Sequence, residues 1–300
     1  MQRSRRGWLA IVLACCTSVA SADNAPLRIM LTNDDGIEAA GLLAVRAALE
    51  QAGYEVMVVA PREQQSGSGA RITLGEITVT DRGHDTWSVD GSPADCAVYG
   101  VSRLFADAPP DLVVSGANLG QNLGANVMSS GTVGAAVMAA QLGVPAIAVS
   151  VGLELAEAGS SPTPFASTAA AYPLAGELVT RLIGRLATQA KGGALLPPHT
   201  VLNLNVPARP LKQIAGLRLA PLGRHGGFRM IYRERPGQAR TLSTIEVDTD
   251  GRADSEADTG WFARDYITVS VLRADWNAAP VDSARIATIL GSLQHLRPSP

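Results

Sequence analysis

The chain repeats one pattern: a short apolar run, a polar cluster, then a stretch with helical spacing. The runs are Leu27 to Thr32, Tyr54 to Ala60, Asp111 to Ser115, Ala146 to Val151 and Thr200 to Val206. Such runs, largely apolar without strict alternation, fit strands buried on both faces. Between them, Ile37 to Ala52 carries Leu42, Val45 and Leu49 on one helical face and stops at Gly53. Val133 to Leu142 stops at Gly143, and a longer helical stretch covers Pro164 to Gln189. Doubly buried strands alternating with helices predict an α/β fold, a Rossmann-like three-layer sandwich around a mostly parallel sheet. Hydrophobic residues make up 46% of the chain and aromatics only 4%, so the core must be aliphatic.

Two segments interrupt the alternation. Arg71 to Val89 alternates polar and apolar residues, as a hairpin would. From Ile214 to Leu272 the chain is β-like, with turns at Gly226-Gly227 and Pro236-Gly237, and Val281 to Leu296 has the spacing of a closing helix. The expected organisation is a Rossmann-like core over 23–210 and a β-rich extension with the closing helix over 211–300, suited to oligomer contacts. Residues 1–22 stand outside the fold. Arg3, Arg5 and Arg6 precede the apolar stretch Gly7 to Ala14 and the small-residue cleavage site Ala20-Ser21-Ala22, which is the layout of an export signal. Ser4-Arg5-Arg6-Gly7-Trp8-Leu9 matches a twin-arginine signal as well as an ordinary Sec one; lipidation at Cys15 is the weaker match. Cleavage removes three arginines and takes the formal charge from −2 to −5. It also leaves Cys96 as the one cysteine, so no internal disulfide can form. Without a basic surplus the chain is poorly suited to a nucleic-acid duplex and better suited to a small ligand.

In doubly wound sheets, ligands bind outside the carboxyl ends of the strands. Four polar clusters fall there. Asp34-Asp35, after the first run, places two carboxylates side by side, which repel unless a cation compensates. Oxygen donors of this kind suit Mg²⁺, Mn²⁺ or Ca²⁺. Read alone, Asp34-Asp35-Gly36 fits a capped turn better than a metal site. Gln65-Ser66-Gly67-Ser68-Gly69 offers hydroxyls and a backbone that a ligand can approach closely. Ser115-Gly116-Ala117-Asn118 supplies a neutral oxygen donor close behind a buried strand. Ser130-Gly131-Thr132 opens a helix, whose free N–H groups and dipole favour an anion; simple N-capping by Ser130 is the alternative. A divalent cation beside an anion site points to a phosphate ester.

With these motifs assembled, the chain resembles the SurE family of metal-dependent nucleotidases. The resemblance rests on Thr32-Asn33-Asp34-Asp35-Gly36-Ile37, Val58-Val59-Ala60-Pro61, Gln65-Ser66-Gly67, Gly91-Ser92-Pro93-Ala94-Asp95-Cys96, the segment from Pro110 to Gly120, and the segment from Ser130 to Ala136, with Asn203-Leu204-Asn205-Val206-Pro207 extending it. It implies hydrolysis of nucleoside monophosphates at the 5′ or 3′ phosphate, with one Mg²⁺ or Mn²⁺ per subunit. The implied metal ligands are Asp34, Asp35, Ser66 and Asn118. Asp34 and Asn118 are the expected catalytic residues, and Gly67, Ser130, Gly131 and Thr132 the expected phosphate contacts. The resemblance further implies a homodimer or homotetramer built through the C-terminal extension. Ala40, Arg62, Ser129 and Met138 depart from the family pattern without touching an implied ligand. Alternative readings are an exported, non-catalytic nucleotide- or phosphate-binding protein, and a phosphatase for other small esters or polyphosphate. A dinucleotide oxidoreductase fits worse, because the first strand leads into Asn33-Asp34-Asp35-Gly36 and not a Gly-x-Gly-x-x-Gly turn.

Overall fold

The computed structural model describes residues 25–159, 165–234, 241–247, 254–275, 277 and 286. The export segment, the Pro236-Gly237 turn and all of the expected closing helix but Ile286 lie outside these residues. The strands are β1 (Arg28–Thr32), β2 (Glu55–Pro61), β3 (Val79–Asp81), β4 (Thr86–Val89), β5 (Leu112–Leu119), β6 (Ala146–Val151), β7 (Thr200–Val206), β8 (Gly216–Leu219), β9 (Phe228–Glu234), β10 (Thr241–Val247) and β11 (Tyr266–Arg273). The helices are α1 (Ala40–Gln51), α2 (Pro93–Tyr99), α3 (Gly131–Gln141), α4 (Ala166–Ala190) and α5 (Asp258–Phe262).

Nine strands form one mixed sheet in the order β3-β4-β2-β1-β5-β6-β7-β11-β8. The strands from β4 through β7 are parallel neighbours; β3 runs antiparallel to β4 and β11 antiparallel to β7, while β8 lies parallel to β11. Side-chain alternation sorts the core into two layers. Ile29, Leu31, Leu112, Val114, Ile147, Val149, Leu202 and Leu204 face α1 and α4. Met30, Val113, Ala146, Ala148 and Val201 face α2 and α3. Helices cover both faces because both faces of each central strand are apolar over most of their length. None of the described helices is long and apolar enough to cross a membrane.

Three features differ from the sequence expectation. The hairpin is confined to β3 and β4; residues 71–78 are irregular, and Leu74 is 92% exposed. The third run is longer than its apolar part: β5 continues through Asn118 after a register shift between Ser115 and Asn118. Third, β8 and β11, which lie beyond residue 210, extend the core sheet, whereas β9 and β10 pair only with each other, as a separate antiparallel ribbon.

Helix α3 sets the geometry of the rim. Its small first turns let the loop after β2 lie directly on it: a Cβ on Gly134 would stand 2.2 Å from the Gly69 carbonyl oxygen. A bond from the Gly69 N–H to the Ser129 carbonyl at 3.1 Å holds the same contact. Alanine normally favours a helix interior over glycine by ~1 kcal/mol, but here it must displace backbone. Gly134→Ala should therefore destabilise the protein, by about 1–3 kcal/mol; urea unfolding that shows equal or greater stability would contradict this packing.

Candidate functional site

The site grows from the turn that follows β1. Asn33, fully buried, donates from Nδ2 to the Gly36 carbonyl at 2.8 Å and closes the turn, and the Ile37 N–H bonds the Pro61 carbonyl at the end of β2. This closure presents Asp34 and Asp35 at the carboxyl edge of the sheet. Asp34 is only 2% exposed. Its carboxylate accepts the Thr132 hydroxyl at 2.5 Å and lies against the Gly131 and Thr132 amides at the start of α3. Burial pushes its pKa up despite those donors. Asp35 accepts the Leu119 N–H at 2.7 Å. Burial first, and the adjacent Asp34 charge second, push Asp35 from an ordinary 3.8 to about 6.

β5 supplies the third group. Thr32 and Ser115 are register partners in β1 and β5, so the shifted segment carrying Asn118 lies beside the acidic turn. Asn118 donates from Nδ2 to the Gly120 carbonyl at 2.7 Å, which settles the orientation of its amide. Its Oδ1 is buried without a hydrogen-bond partner. A buried acceptor left unpaired is costly and uncommon.

The loop after β2 closes the other side. The Gln65 N–H bonds the Asp34 carbonyl at 2.7 Å. Ser66 is exposed, and its hydroxyl accepts from Gln64 Nε2 at 2.6 Å. Gly67 is exposed with φ +81° and open space where a side chain would stand. Ser68 was not singled out from the sequence, because nothing in Ser66-Gly67-Ser68 distinguishes the two hydroxyls. A Cβ on Gly131 would lie 2.7 Å from Ser68 Oγ and 2.9 Å from Asp34 Oδ2, and Ser68 Oγ is itself buried and unpaired. Ser92 and Asp95 cap α2 reciprocally and tether this loop. Ser92 Oγ donates to the Arg71 carbonyl at 2.5 Å, and Asp95 accepts the Thr73 N–H and hydroxyl at 2.8 and 2.7 Å.

The two hydroxyls expected to contact phosphate are engaged within the protein. Ser130 N-caps α3, accepting the Val133 N–H at 3.1 Å, and Thr132 donates to Asp34. The anion facing the start of α3 is the Asp34 carboxylate itself. Cys96 is fully buried, with its thiol held well above the usual range by burial, and has no part in the rim.

A further set of contacts, not legible in the sequence, braces the loop that follows Asn118. Asn205 pairs with both backbone groups of Asn122: its Oδ1 accepts the N–H at 2.7 Å and its Nδ2 donates to the carbonyl at 3.1 Å. Asn203 donates to that same carbonyl at 2.8 Å, and the Asn122 amide donates to Ser150 Oγ at 2.9 Å. Asp258, fully buried in α5, accepts the N–H groups of Gly124 at 2.9 Å and Gly223 at 2.8 Å. The C-terminal segment thus holds the loop that follows Asn118.

Among the described residues, no three His, Cys, Asp or Glu side chains form a metal-binding group. The donors gathered here are two carboxylates with neutral oxygens, a set suited to a hard divalent cation.

Comparisons place this geometry among known proteins. Residues 29–227 match the family described as Survival protein SurE. The chain is 42% identical over 259 residues to the 5′-nucleotidase SurE of Carboxydothermus hydrogenoformans, covering 83% of this chain and 91% of that protein. It is 34% identical over 256 residues to the 5′/3′-nucleotidase SurE of Photorhabdus laumondii subsp. laumondii, covering 84% and 92%. The crystal structure of the SurE protein from Aquifex aeolicus superposes with a TM-score of 0.70 at 27% identity, covering 88% of this chain and 99% of that one.

The raised proton affinity of Asp35 has a measurable consequence. A carboxyl whose pKa is higher folded than unfolded weakens the fold above the folded value and ceases to do so below the unfolded one. In cation-free buffer at pH 7 to 8, Asp35→Asn should therefore be more stable than the parent, on the order of 1–3 kcal/mol. The gap should close as the pH falls from about 6 toward 3.8. Denaturant midpoints at several pH values test it; a less stable Asp35→Asn at pH 8 contradicts the assigned electrostatics.

Proposed function

The chain belongs to the SurE family, and we propose that it is a divalent-cation-dependent nucleotidase, releasing phosphate from nucleoside monophosphates with Mg²⁺ or Mn²⁺, one cation per subunit. The observation that carries this reading is the buried, unpaired Asn118 Oδ1 beside two carboxylates that burial makes costly to ionise. A cation relieves both penalties at once. The residues fit it: Asp34, Asp35 and Asn118 would hold the ion, with the Ser66 hydroxyl as the outer, exposed donor. A bound divalent cation supplies polarisation of a phosphoryl oxygen and a lowered pKa for a water. The protein's own groups do the positioning. Thr132 and the α3 amides orient Asp34, the Leu119 N–H orients Asp35, and the Gly120 carbonyl orients the Asn118 amide. Gly67 leaves backbone accessible beside Ser68, where a phosphate would lie. The names of the relatives support nucleotides as the substrate class.

The reading extends to assembly and location. Leu217 and Leu219 on edge strand β8 are 52% and 71% exposed, and Met230 and Tyr232 on β9 are 54% and 73% exposed. Apolar side chains on an open edge and on a projecting ribbon favour pairing with another subunit, which supports a homodimer or homotetramer. The arginine-led segment over 1–22 supports export to the periplasm. N-terminal sequencing and light scattering of the exported protein test both; a start at Met1, or a single subunit, contradicts them.

Asp34→Asn keeps the shape of the side chain and removes its charge. It should lower kcat/KM for nucleoside monophosphates by about 100-fold or more, since a lost metal contact costs several kcal/mol of transition-state stabilisation. Calorimetry should show weakened Mn²⁺ binding in Asp34→Asn and in Asn118→Ala, with circular dichroism unchanged. Full turnover by folded Asp34→Asn, or by the parent after thorough chelation, overturns the proposed role.

A further inference from the structure

The carboxyl end of the sheet holds a cavity of about 270 Å³ beside the loop that follows Asn118. Three segments distant in sequence build it. Gln121 and Leu123 come from the loop after β5, Leu153 and Leu155 from the loop after β6, and Phe228 and Phe262 from the C-terminal region. The walls are therefore aliphatic and aromatic. Three polar side chains are set among them, Gln121, Glu154 and Thr259, the last with a buried hydroxyl that has no hydrogen-bond partner. Gln121 Oε1 accepts the Leu153 N–H at 2.9 Å, which anchors the side chain. Its Nε2 donates to no described residue. The Glu154 carboxylate, also at the cavity, is paired with Arg209, so it does not face an anionic ligand alone.

The cavity adjoins the candidate metal site. A Cβ on Gly120 would lie 3.4 Å from Leu153 Cδ1 and 3.9 Å from Asn118 Nδ2. Cavity wall and candidate ligand are thus separated by the width of one glycine. Other cavities lie between α1 and α4, or against Leu27 and Tyr54 at the amino ends of β1 and β2, away from the rim.

Resting on the nucleotidase reading above, we propose that this cavity takes the base of a nucleoside monophosphate whose phosphate lies at Asp34, Asp35 and Asn118. A flat heteroaromatic ring gains from aliphatic and aromatic walls and needs few directed polar contacts. The volume lies just under that of the smallest ordinary ligand pockets, ~300 Å³, so it accepts a base and excludes a whole nucleotide. The Gln121 amide donates to a ring nitrogen or exocyclic oxygen. Every nucleobase carries such an acceptor, so the cavity recognises a base without selecting strongly among bases. The C-terminal segment then acts directly on substrate choice, because Phe228 and Phe262 form one wall.

The test compares nucleoside monophosphates with ribose 5-phosphate, which carries the phosphate and sugar and no base. For the parent with Mn²⁺, kcat/KM should favour the nucleoside monophosphates by at least about tenfold. Leu155 is 36% exposed at the rim, so Leu155→Trp can fill the cavity without entering the core. It should raise KM for nucleoside monophosphates about tenfold and leave kcat/KM for ribose 5-phosphate within about twofold. Phe262→Leu, which removes one of the two aromatic rings without filling the space, should act in the same direction and serves if Leu155→Trp does not fold. Equal use of both substrates by the parent, or an equal loss on both in either folded variant, overturns the cavity assignment and leaves the phosphatase reading standing. Release of phosphate from neither substrate overturns the phosphatase reading and the cavity with it.

Discussion

Two adjacent carboxylates, held at the end of a buried strand, are the constraint to which the rest of the structure responds. Asp34 and Asp35 cannot separate, because they are chain neighbours, and they cannot both face water, because the turn closed by Asn33 faces them inward. The fold answers with donors. The first amides of α3 and the Thr132 hydroxyl are turned on Asp34, and the Leu119 N–H on Asp35. A helix N-terminus carries roughly half a positive charge, which lessens the cost of one carboxylate but not of two. The proton affinities of both therefore stay raised, a cost that the proposed cation would offset.

The same geometry gives the C-terminal segment a role at the site. Asp258 accepts N–H groups from Gly124 and Gly223 and so joins the loop after β5 to the segment that leads into β9. Asn203 and Asn205, on β7, grip Asn122 from the opposite side. The loop is fixed at both ends by side chains that arrive from more than 80 residues away. A strand end that presents a candidate donor needs rigid support, and backbone groups bonded to buried side chains in the adjoining loop give it.

Much of the sheet was legible because doubly buried strands must be apolar on both faces. β6 and β7 coincide with their apolar runs, and β1 and β2 differ by a residue at their ends. The exceptions are instructive. Asn118 belongs to β5 and not to a following loop, because a bulge after Ser115 lets the strand resume in a new register; composition carries no trace of that shift. The alternation over 71–78 predicts a strand that does not form, since Leu74 finds no core to bury against. Asn203 and Asn205 look out of place in a buried strand until the Asn122 peptide is seen lying between them.

By itself, the sequence determined the layered α/β architecture, the acidic turn after β1 and the candidate donors Asp34, Asp35, Ser66 and Asn118. These are local statements, since apolar periodicity and short motifs depend only on neighbouring residues. The tertiary structure alone decided how the remaining groups are used. It turned Thr132 and the α3 amides onto Asp34, made Ser130 a cap, and brought Ser68 beside Gly131. It left the Asn118 oxygen bare and enclosed a cavity with Phe228 and Phe262. Each of those outcomes depends on which segments lie against each other, and strand order, bulge position and the packing of α5 enter no single stretch of chain.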